Sequence, residues 1–466
     1  MKRYQIALLT LLLTGCGALT KTEYQRPELS VPDTWQQQDS TGTTFLKNTP
    51  HWWDNFNDPQ LSRIISQMLA TNNDLAAAGI QLQLARVAAG LTNTNLTPNV
   101  SVSGSASNTK NLNNNTDPKE TYSSSISLSY ELDLWGKLAR EREQSAWKVK
   151  ATEFDRQATA LSLIGTTAQL YWQIGSLNQQ IANQEKSLEI AEKTLDMVNS
   201  RYEAGNVGQV DLLQSEQSVI SKRNRLRDLK EQREEARNAM AILFNRPPSQ
   251  RQDELSTLDF MQSIAIADRV PLQVIGHRPD VQAEEWRLRA ALAGKDAAKL
   301  SFYPSLSLSA GASAGSSVFS QWFTNPVRTL GAAVALPFIQ WNTVQLTIEQ
   351  SDLNVQQAAV KFRSTAYSAL SDVDNAMAQR LNAESQKASL MRDLELSQRR
   401  LALVTSQYQA GAVSFQTLLD AQDSLLSSEN NLLTMQYNYL YATMKLWLAL
   451  GGGVDNEKDL GGMNNG

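Results

Sequence analysis

Apolar and polar residues alternate strictly in short stretches of this chain and recur at helical spacing over very long ones. Ile126, Leu128, Tyr130, Leu132 and Leu134 alternate with Ser125, Ser127, Ser129, Glu131 and Asp133. A period of two puts one residue class on each face of a strand. A partner strand is expected over Asn99 to Ser107, where Val100 and Val102 are apolar, with the polar, Asn-rich stretch 108–121 as the loop between them. Later, Leu306 and Leu308 alternate with serines, and Ala332, Val334, Leu336 and Phe338 keep the same even-numbered parity. About ten such residues is the length a tilted strand needs to cross a bilayer. A soluble sandwich with one solvated face has the same pattern, so the strands alone leave both open.

The helical pattern is more restrictive. No proline occurs between Pro118 and Pro247, nor after Pro337. Lys137 to Ser200 reads as one uninterrupted helix, about 95 Å long at 1.5 Å per residue. Leu188, Ala191, Leu195, Val198 and Tyr202 follow the 3,4 spacing of a coiled-coil seam. Leu418, Leu425, Leu432, Tyr439 and Leu446 recur every seven residues beside a second stripe, Leu419, Leu426, Leu433, Leu440 and Trp447. Two adjacent stripes describe a helix packed on two sides, as in a cylinder wall. Gly205 and Gly411 fall where helix hairpins would turn.

Four landmarks recur at one offset of 206 residues without a gap. Asn73-Asp74-Leu75 matches Pro279-Asp280-Val281. The strand starts at Pro98 and Pro304 match, as do Leu132 to Gly136 and Phe338 to Asn342. Tyr202-Glu203-Ala204-Gly205-Asn206-Val207 matches Tyr408-Gln409-Ala410-Gly411-Ala412-Val413. A period this long marks a duplicated unit rather than a solenoid. The expected organisation is a signal peptide over 1–15, an anchored linker over 16–51 and a first repeat over 52–245. An inter-repeat linker over 246–257, a second repeat over 258–451 and a flexible tail over 452–466 complete it.

The N-terminus supplies an address. Lys2 and Arg3 precede the apolar run Ile6 to Leu13 and then Leu13-Thr14-Gly15-Cys16. This is a signal peptide whose end resembles the bacterial lipobox; the alternative is an ordinary signal peptide with an incidental cysteine. Cys16 is the one cysteine of the chain, so disulfides are excluded, and it is the expected lipid attachment site. In lipoproteins of this type Gly17, rather than Asp, argues against retention in the inner membrane. The net charge of −4, or −6 once Lys2 and Arg3 are removed, carries no basic patch, so nucleic acid is a poor partner. No run of about 18 apolar residues is evident, so strands rather than a helix are expected to cross any membrane. Four strands cannot close a barrel, and an open sheet leaves backbone groups unpaired in lipid, so several chains must pool their strands.

An enzyme reading finds no support. His51 and His277 have no Cys or carboxylate partner at metal spacing, and no phosphate loop or nucleophile motif occurs. Neither a metal site nor a cofactor is expected. The remaining rival to a duct is a structural coiled-coil outer-membrane lipoprotein or adhesin without channel activity, which would not need strand hairpins placed identically in both halves.

The residues resemble the TolC-like outer-membrane efflux factor family, in its lipoprotein branch of OprM- and CusC-like members. The resemblance rests on the lipobox, Trp52-Trp53 with Asp58-Pro59-Gln60-Leu61, Arg278-Pro279-Asp280-Val281, Tyr303-Pro304-Ser305, the two Tyr-x-Ala-Gly-x-Val tips, and Leu418-Leu419-Asp420-Ala421-Gln422. It covers nearly the whole chain. It implies a mixed fold of α-helix and transmembrane β-strand: a homotrimeric twelve-stranded β-barrel, four strands per chain, continuous with a long α-helical periplasmic barrel. It also implies an exit duct in a tripartite efflux pump, docked to a periplasmic adaptor protein and an inner-membrane pump. A proton-driven pump is the expectation, although no residue excludes an ATP-driven one.

By position Asp420 matches the family's gate aspartate, and Asp423 lies three residues on, on the same helical face. Plain solvated helix charge is the alternative reading of both. Gln416 stands where relatives carry a leucine constriction, and Asp423 where some carry arginine. Arg201, Tyr202, Gln407 and Tyr408 flank the tips, and some of them are expected to hold the closed state through hydrogen bonds across hairpins. Gly205, Val207, Gly411 and Val413 are the expected adaptor contacts. The two tips differ: Asp420 and Asp423 in the second correspond to Gln214 and Gln217 in the first.

Overall fold

A computed structural model describes residues 21–32, 51–113, 117–258 and 276–452. The signal peptide, Cys16, most of the N-terminal linker and the C-terminal tail lie outside the described residues. In chain order the elements are α1 (Pro59–Thr71), α2 (Asn73–Asn93), β1 (Asn99–Thr109), β2 (Lys119–Leu132), α3 (Lys137–Glu203), α4 (Gln209–Leu243), α5 (Pro279–Leu300), β3 (Ser305–Ser316), β4 (Pro326–Ala335), α6 (Trp341–Gln409) and α7 (Phe415–Ala449). The order helix, hairpin, long helix, helix occurs twice, as the duplication requires. The contacts divide the chain into two units, one holding 80–154 and 282–365, the other 51–79, 155–281 and 366–452 within the described residues.

The first unit contains the sheet, an antiparallel meander in the order β1-β2-β3-β4. Its register sorts the side chains by parity. Val100 faces Leu128, Val102 faces Ile126, Leu128 faces Ala310 and Leu308 faces Ala332. All the even positions share one apolar face. The odd face is lined with serines, and Ser101–Ser127, Ser103–Ser125 and Ser105–Ser123 join Oγ to Oγ at 2.7, 2.8 and 2.7 Å. A single-residue slip would exchange the two faces, and these ladders help fix the register.

Three expected strand positions fall outside the sheet. Leu134 lies beyond the end of β2, because the Asp133 carboxylate turns back to accept from the Leu138 and Ala139 amides and starts α3. Leu336 and Phe338 lie beyond β4, because Pro337 has no amide to donate to the ladder and opens a 3-10 turn instead. Below the sheet, the Trp135 indole donates to the Pro304 carbonyl at 2.9 Å and packs on Tyr303. An extended segment after the anchor region lies on the same unit. Thr22 bonds the buried Asp296 through its amide and hydroxyl, and Tyr24 stacks under Arg289. Burial, then Glu285, push the Tyr24 phenol up to about 12.

In the second unit the motif residues act as staples. Asp58 caps α1 by accepting from the Gln60 and Leu61 amides, with Pro59 in the first turn where its missing N–H costs nothing. The other Asp58 oxygen accepts from the Tyr171 hydroxyl at 3.0 Å. Trp52 stacks on Trp447 and Phe56 packs on Trp172 in the main apolar core. Arg278 forks onto Asp280 and also reaches Asp372, tying the start of α5 to α6.

The coiled-coil seam of α3 departs from the expected one. The buried positions are Ile181, Gln184, Ser187, Ala191, Thr194 and Val198, whereas Leu188 and Leu195 are half-buried and Tyr202 is exposed. Two of the polar seam residues bond neighbouring helices: Gln184 donates to the Lys222 carbonyl, and Thr194 accepts from Gln422. One helical stretch, Asn73–Leu96, is also apolar enough by length and composition to cross a membrane, with a mean hydropathy of 1.2, against the expectation that none would be. Its alanines raise that average. Its large apolar residues, Ile80, Leu84, Val87 and Leu91, form an exposed stripe at 4, 3, 4 spacing.

Candidate functional site

The two hairpin tips repeat each other bond for bond. In the first, Gly205 takes φ +73°, its amide donates to the Tyr202 carbonyl and the Asn206 amide donates to the Arg201 carbonyl. In the second, Gly411 takes φ +75°, with Gly411 bonded to Tyr408 and Ala412 to Gln407. This is the Schellman ending of a helix, and its left-handed residue is the one place where glycine is required. A side chain at either glycine would meet open space. Val207 and Val413 instead pack against the tip's small core of Val198, Val404, Tyr408, Phe415, Leu418 and Ala421. The expected adaptor contacts therefore divide into two exposed glycines and two half-buried valines that support them.

The side chains break the symmetry. Arg201 donates through Nη1 to the Tyr408 carbonyl at 3.2 Å and through Nη2 to the Gln409 carbonyl at 2.9 Å. Its guanidinium also lies 4.9 Å from the centre of the Tyr408 ring. The first tip's arginine thus caps the last turn of α6, where carbonyls lack partners and the helix dipole is negative. Its repeat equivalent, Gln407, carries no charge. Tyr408 is buried and rests on Phe415, whereas Tyr202 is 40% exposed. Burial raises the Tyr408 phenol pKa, and Arg201 acts against it. Replacing Arg201 with glutamine is expected to loosen the end of α6, read as faster amide exchange over 405–412 with exchange over the sheet unchanged.

Asp420 and Asp423 both face solvent on α7, in line with Gln416. Gln416 donates to Asp420 at 2.7 Å. Asp423 has a stronger partner: Lys222 Nζ lies 2.7 Å from its Oδ1, with the lysine side chain 7% exposed and the aspartate 66%. Lys222 was not among the expected site residues. Its signal was present in the sequence, because it falls on the buried seam of α4 with Ser215, Val219 and Leu229. Ser428 stands at the equivalent place in the second repeat and bonds Ser397 and Asp393.

A sheet with one apolar and one serine-lined face, its edge strands unpaired among the described residues, and a pair of buttressed helix hairpins fit a membrane duct. The comparisons specify which kind. The family model described as outer membrane efflux protein matches the chain twice, over 64–246 and 270–452. The two matches start and end 206 residues apart, the offset of the internal repeat. The cation efflux system protein CusC of Escherichia coli K12 is 30% identical over 95% of this chain and 97% of its own. The pyoverdine export outer membrane protein OpmQ of Pseudomonas putida is 28% identical over 96% of each chain. The open-state outer membrane channel MtrE of Neisseria gonorrhoeae superposes with a TM-score of 0.82 at 26% identity, covering 93% of this chain and 98% of that one. The chain belongs to the outer membrane efflux protein family, whose members are transport proteins of the bacterial outer membrane.

Proposed function

We propose that three copies of the chain close a twelve-stranded barrel in the outer membrane and form the exit duct of a tripartite efflux pump, gated at the helix tips. The observation that carries this reading is the sheet itself. Among the described residues both of its edges, β1 and β4, have no further strand partner within one chain. Lipid offers no hydrogen bonds to such edges, so each must meet another copy. Eight strands are the smallest known bacterial barrel, and the family resemblance favours twelve. The exposed stripe of Ile80, Leu84, Val87 and Leu91 supplies a helical face for the neighbouring copy.

In this reading each repeat contributes one strand hairpin and one helix hairpin, so six near-equivalent units surround the path. The N-terminal Cys16 carries the lipid that holds the protein to the outer membrane. Asp420 and Asp423 form acidic rings at the periplasmic entrance, with Gln416 beside them, and Arg201, Gln407, Tyr202 and Tyr408 hold the closed arrangement. Gly205, Val207, Gly411 and Val413 meet the periplasmic adaptor, which links the duct to an inner-membrane pump. The chain performs passage rather than catalysis and needs no cofactor.

Two experiments test this. In planar bilayers the purified protein should give discrete conductance steps; their absence would favour a structural lipoprotein. A cysteine replacing Ala412 should cross-link to the adaptor in cells, since acylated Cys16 cannot compete. Gly411→Val should abolish that cross-link, because forcing a β-branched residue to positive φ costs about 1–2 kcal/mol and distorts the tip.

A further inference from the structure

The apolar face of the sheet carries one cation. Among the described strand residues the only basic side chains are Lys119 and Arg328. Lys119 pairs with Thr109 on the odd, serine-lined face. Arg328 faces Ala312, which faces Ile126, which faces Val102, a row of small and apolar residues on the even face. Arg328 is exposed, and among the described residues it has no hydrogen-bond or ion-pair partner. The one carboxylate on the same face, Glu120, already accepts from the Tyr122 hydroxyl at 3.0 Å.

A second observation locates the water–lipid boundary on the same face of the sheet. The β3–β4 loop places Phe319 and Trp322 against the Tyr122 ring, each at 5.4 Å, and Phe323 stacks on Trp322 at 5.6 Å. Tyr122 belongs to the even face, so the loop aromatics lie on the apolar side of the sheet. Phe319 and Phe323 are 66% and 72% exposed. Such a cluster is an interfacial belt. It marks the end of the sheet away from the helices, which are joined at the opposite end by β1, β2, β3 and β4. Arg328 lies two residues inside the start of β4, about 7 Å along the strand, in the Ile126–Ala312 row, which is four residues from Tyr122 on β2. Its long side chain can rise past Pro326 to the headgroup level while its stem stays in the apolar layer.

We propose that Arg328 is a lipid-binding residue that holds the phosphate of a phosphorylated outer-leaflet lipid beneath the Phe319–Trp322–Phe323 belt. A guanidinium offers paired donors to phosphate oxygens, which makes it the basic side chain best matched to that group. In a closed trimer the site occurs once per copy. The inference rests on the even face being the lipid face.

The test uses the full-length channel, stripped of lipid in a mild detergent, with lipid A carrying both phosphates as the probe and its dephosphorylated form as the control. Native mass spectrometry counts bound lipid, and thermal unfolding reports stabilisation. The wild type should bind the phosphorylated probe about tenfold more tightly than the dephosphorylated one, the scale of a charge-assisted contact. Arg328→Gln should remove that preference, and Arg328→Lys should keep part of it. Equal binding of the two probes, or a preference that survives Arg328→Gln, would overturn the proposal. So would an Arg328→Gln trimer destabilised equally with and without lipid, which would assign the arginine to a neighbouring copy. Bilayer conductance of the same variants reports separately on the duct: normal conductance with no lipid preference rejects the site alone.

Discussion

Replacing both Asp420 and Asp423 with alanine is expected to raise single-channel conductance in planar bilayers about twofold or more, since rings of fixed charge at a constriction bind ions and set their passage. The two carboxylates contribute unequally. Among the described residues Asp420 meets only the neutral Gln416 amide, so in the proposed ring it would supply the net negative charge. Asp423 is balanced by Lys222. Asp420→Ala should therefore weaken cation selectivity while leaving stability near the wild type. Asp423→Ala should do something different: it leaves an ammonium on a nearly buried stem with no counter-ion. Removing one partner of a buried pair costs about 3–5 kcal/mol. With Asp423 two-thirds exposed, water offsets part of that and about 2 kcal/mol is expected. Lys222→Met combined with Asp423→Leu should recover most of the loss, because an apolar pair of similar size replaces the ion pair without stranding a charge. Unchanged conductance in the double alanine variant would sink the gate assignment, whereas additive stability losses in the Lys222–Asp423 cycle would show that the pair does not interact.

These differences between neighbouring carboxylates were only partly legible in the sequence. Periodicity located α3 and α7 and the glycine turns, because long proline-free runs and a left-handed glycine each have few structural solutions. Parity located the sheet faces, and an even repeat offset carried the parity from one half to the other. What periodicity missed is the polar interior of the helical unit. Gln184, Thr194, Lys222 and Gln422 sit where a seam reading expects leucine, and each bonds a residue on another helix. Such pairings join positions 38 to 228 residues apart, and one sequence does not say which polar residue meets which. The strand ends were missed for a local reason. Leu134, Leu336 and Phe338 continue the alternation, but the Asp133 cap and the amide-free Pro337 end the ladder first.

The assignment of faces makes the sharpest prediction, because adjacent residues should behave oppositely. Leu128 lies on the even face between Val100 and Ala310, and Ser127 lies on the odd face between Ser101 and Gly311. With the even face in lipid, Leu128→Arg places a cation in hydrocarbon six residues from Tyr122, one even-face row deeper than the Ile126–Ala312–Arg328 row. The cost is about 2–4 kcal/mol per copy at depth, and a trimer incurs it three times. The variant should fail to reach the outer membrane as a heat-resistant trimer on gels. Ser127→Arg should assemble normally, because its guanidinium enters the water-filled side, and it should shift ion selectivity towards anions. A soluble sandwich predicts the same order, since there the serine face is solvated and the apolar face is a dry core, but in it the charge at 128 is rejected regardless of the membrane. Normal assembly in a membrane-free refolding assay, together with failure only in vesicles, would separate the lipid-facing explanation from simple misfolding of the sheet. If Leu128→Arg instead assembles and conducts as the wild type does, the even face is not the lipid face, and the barrel reading fails with it.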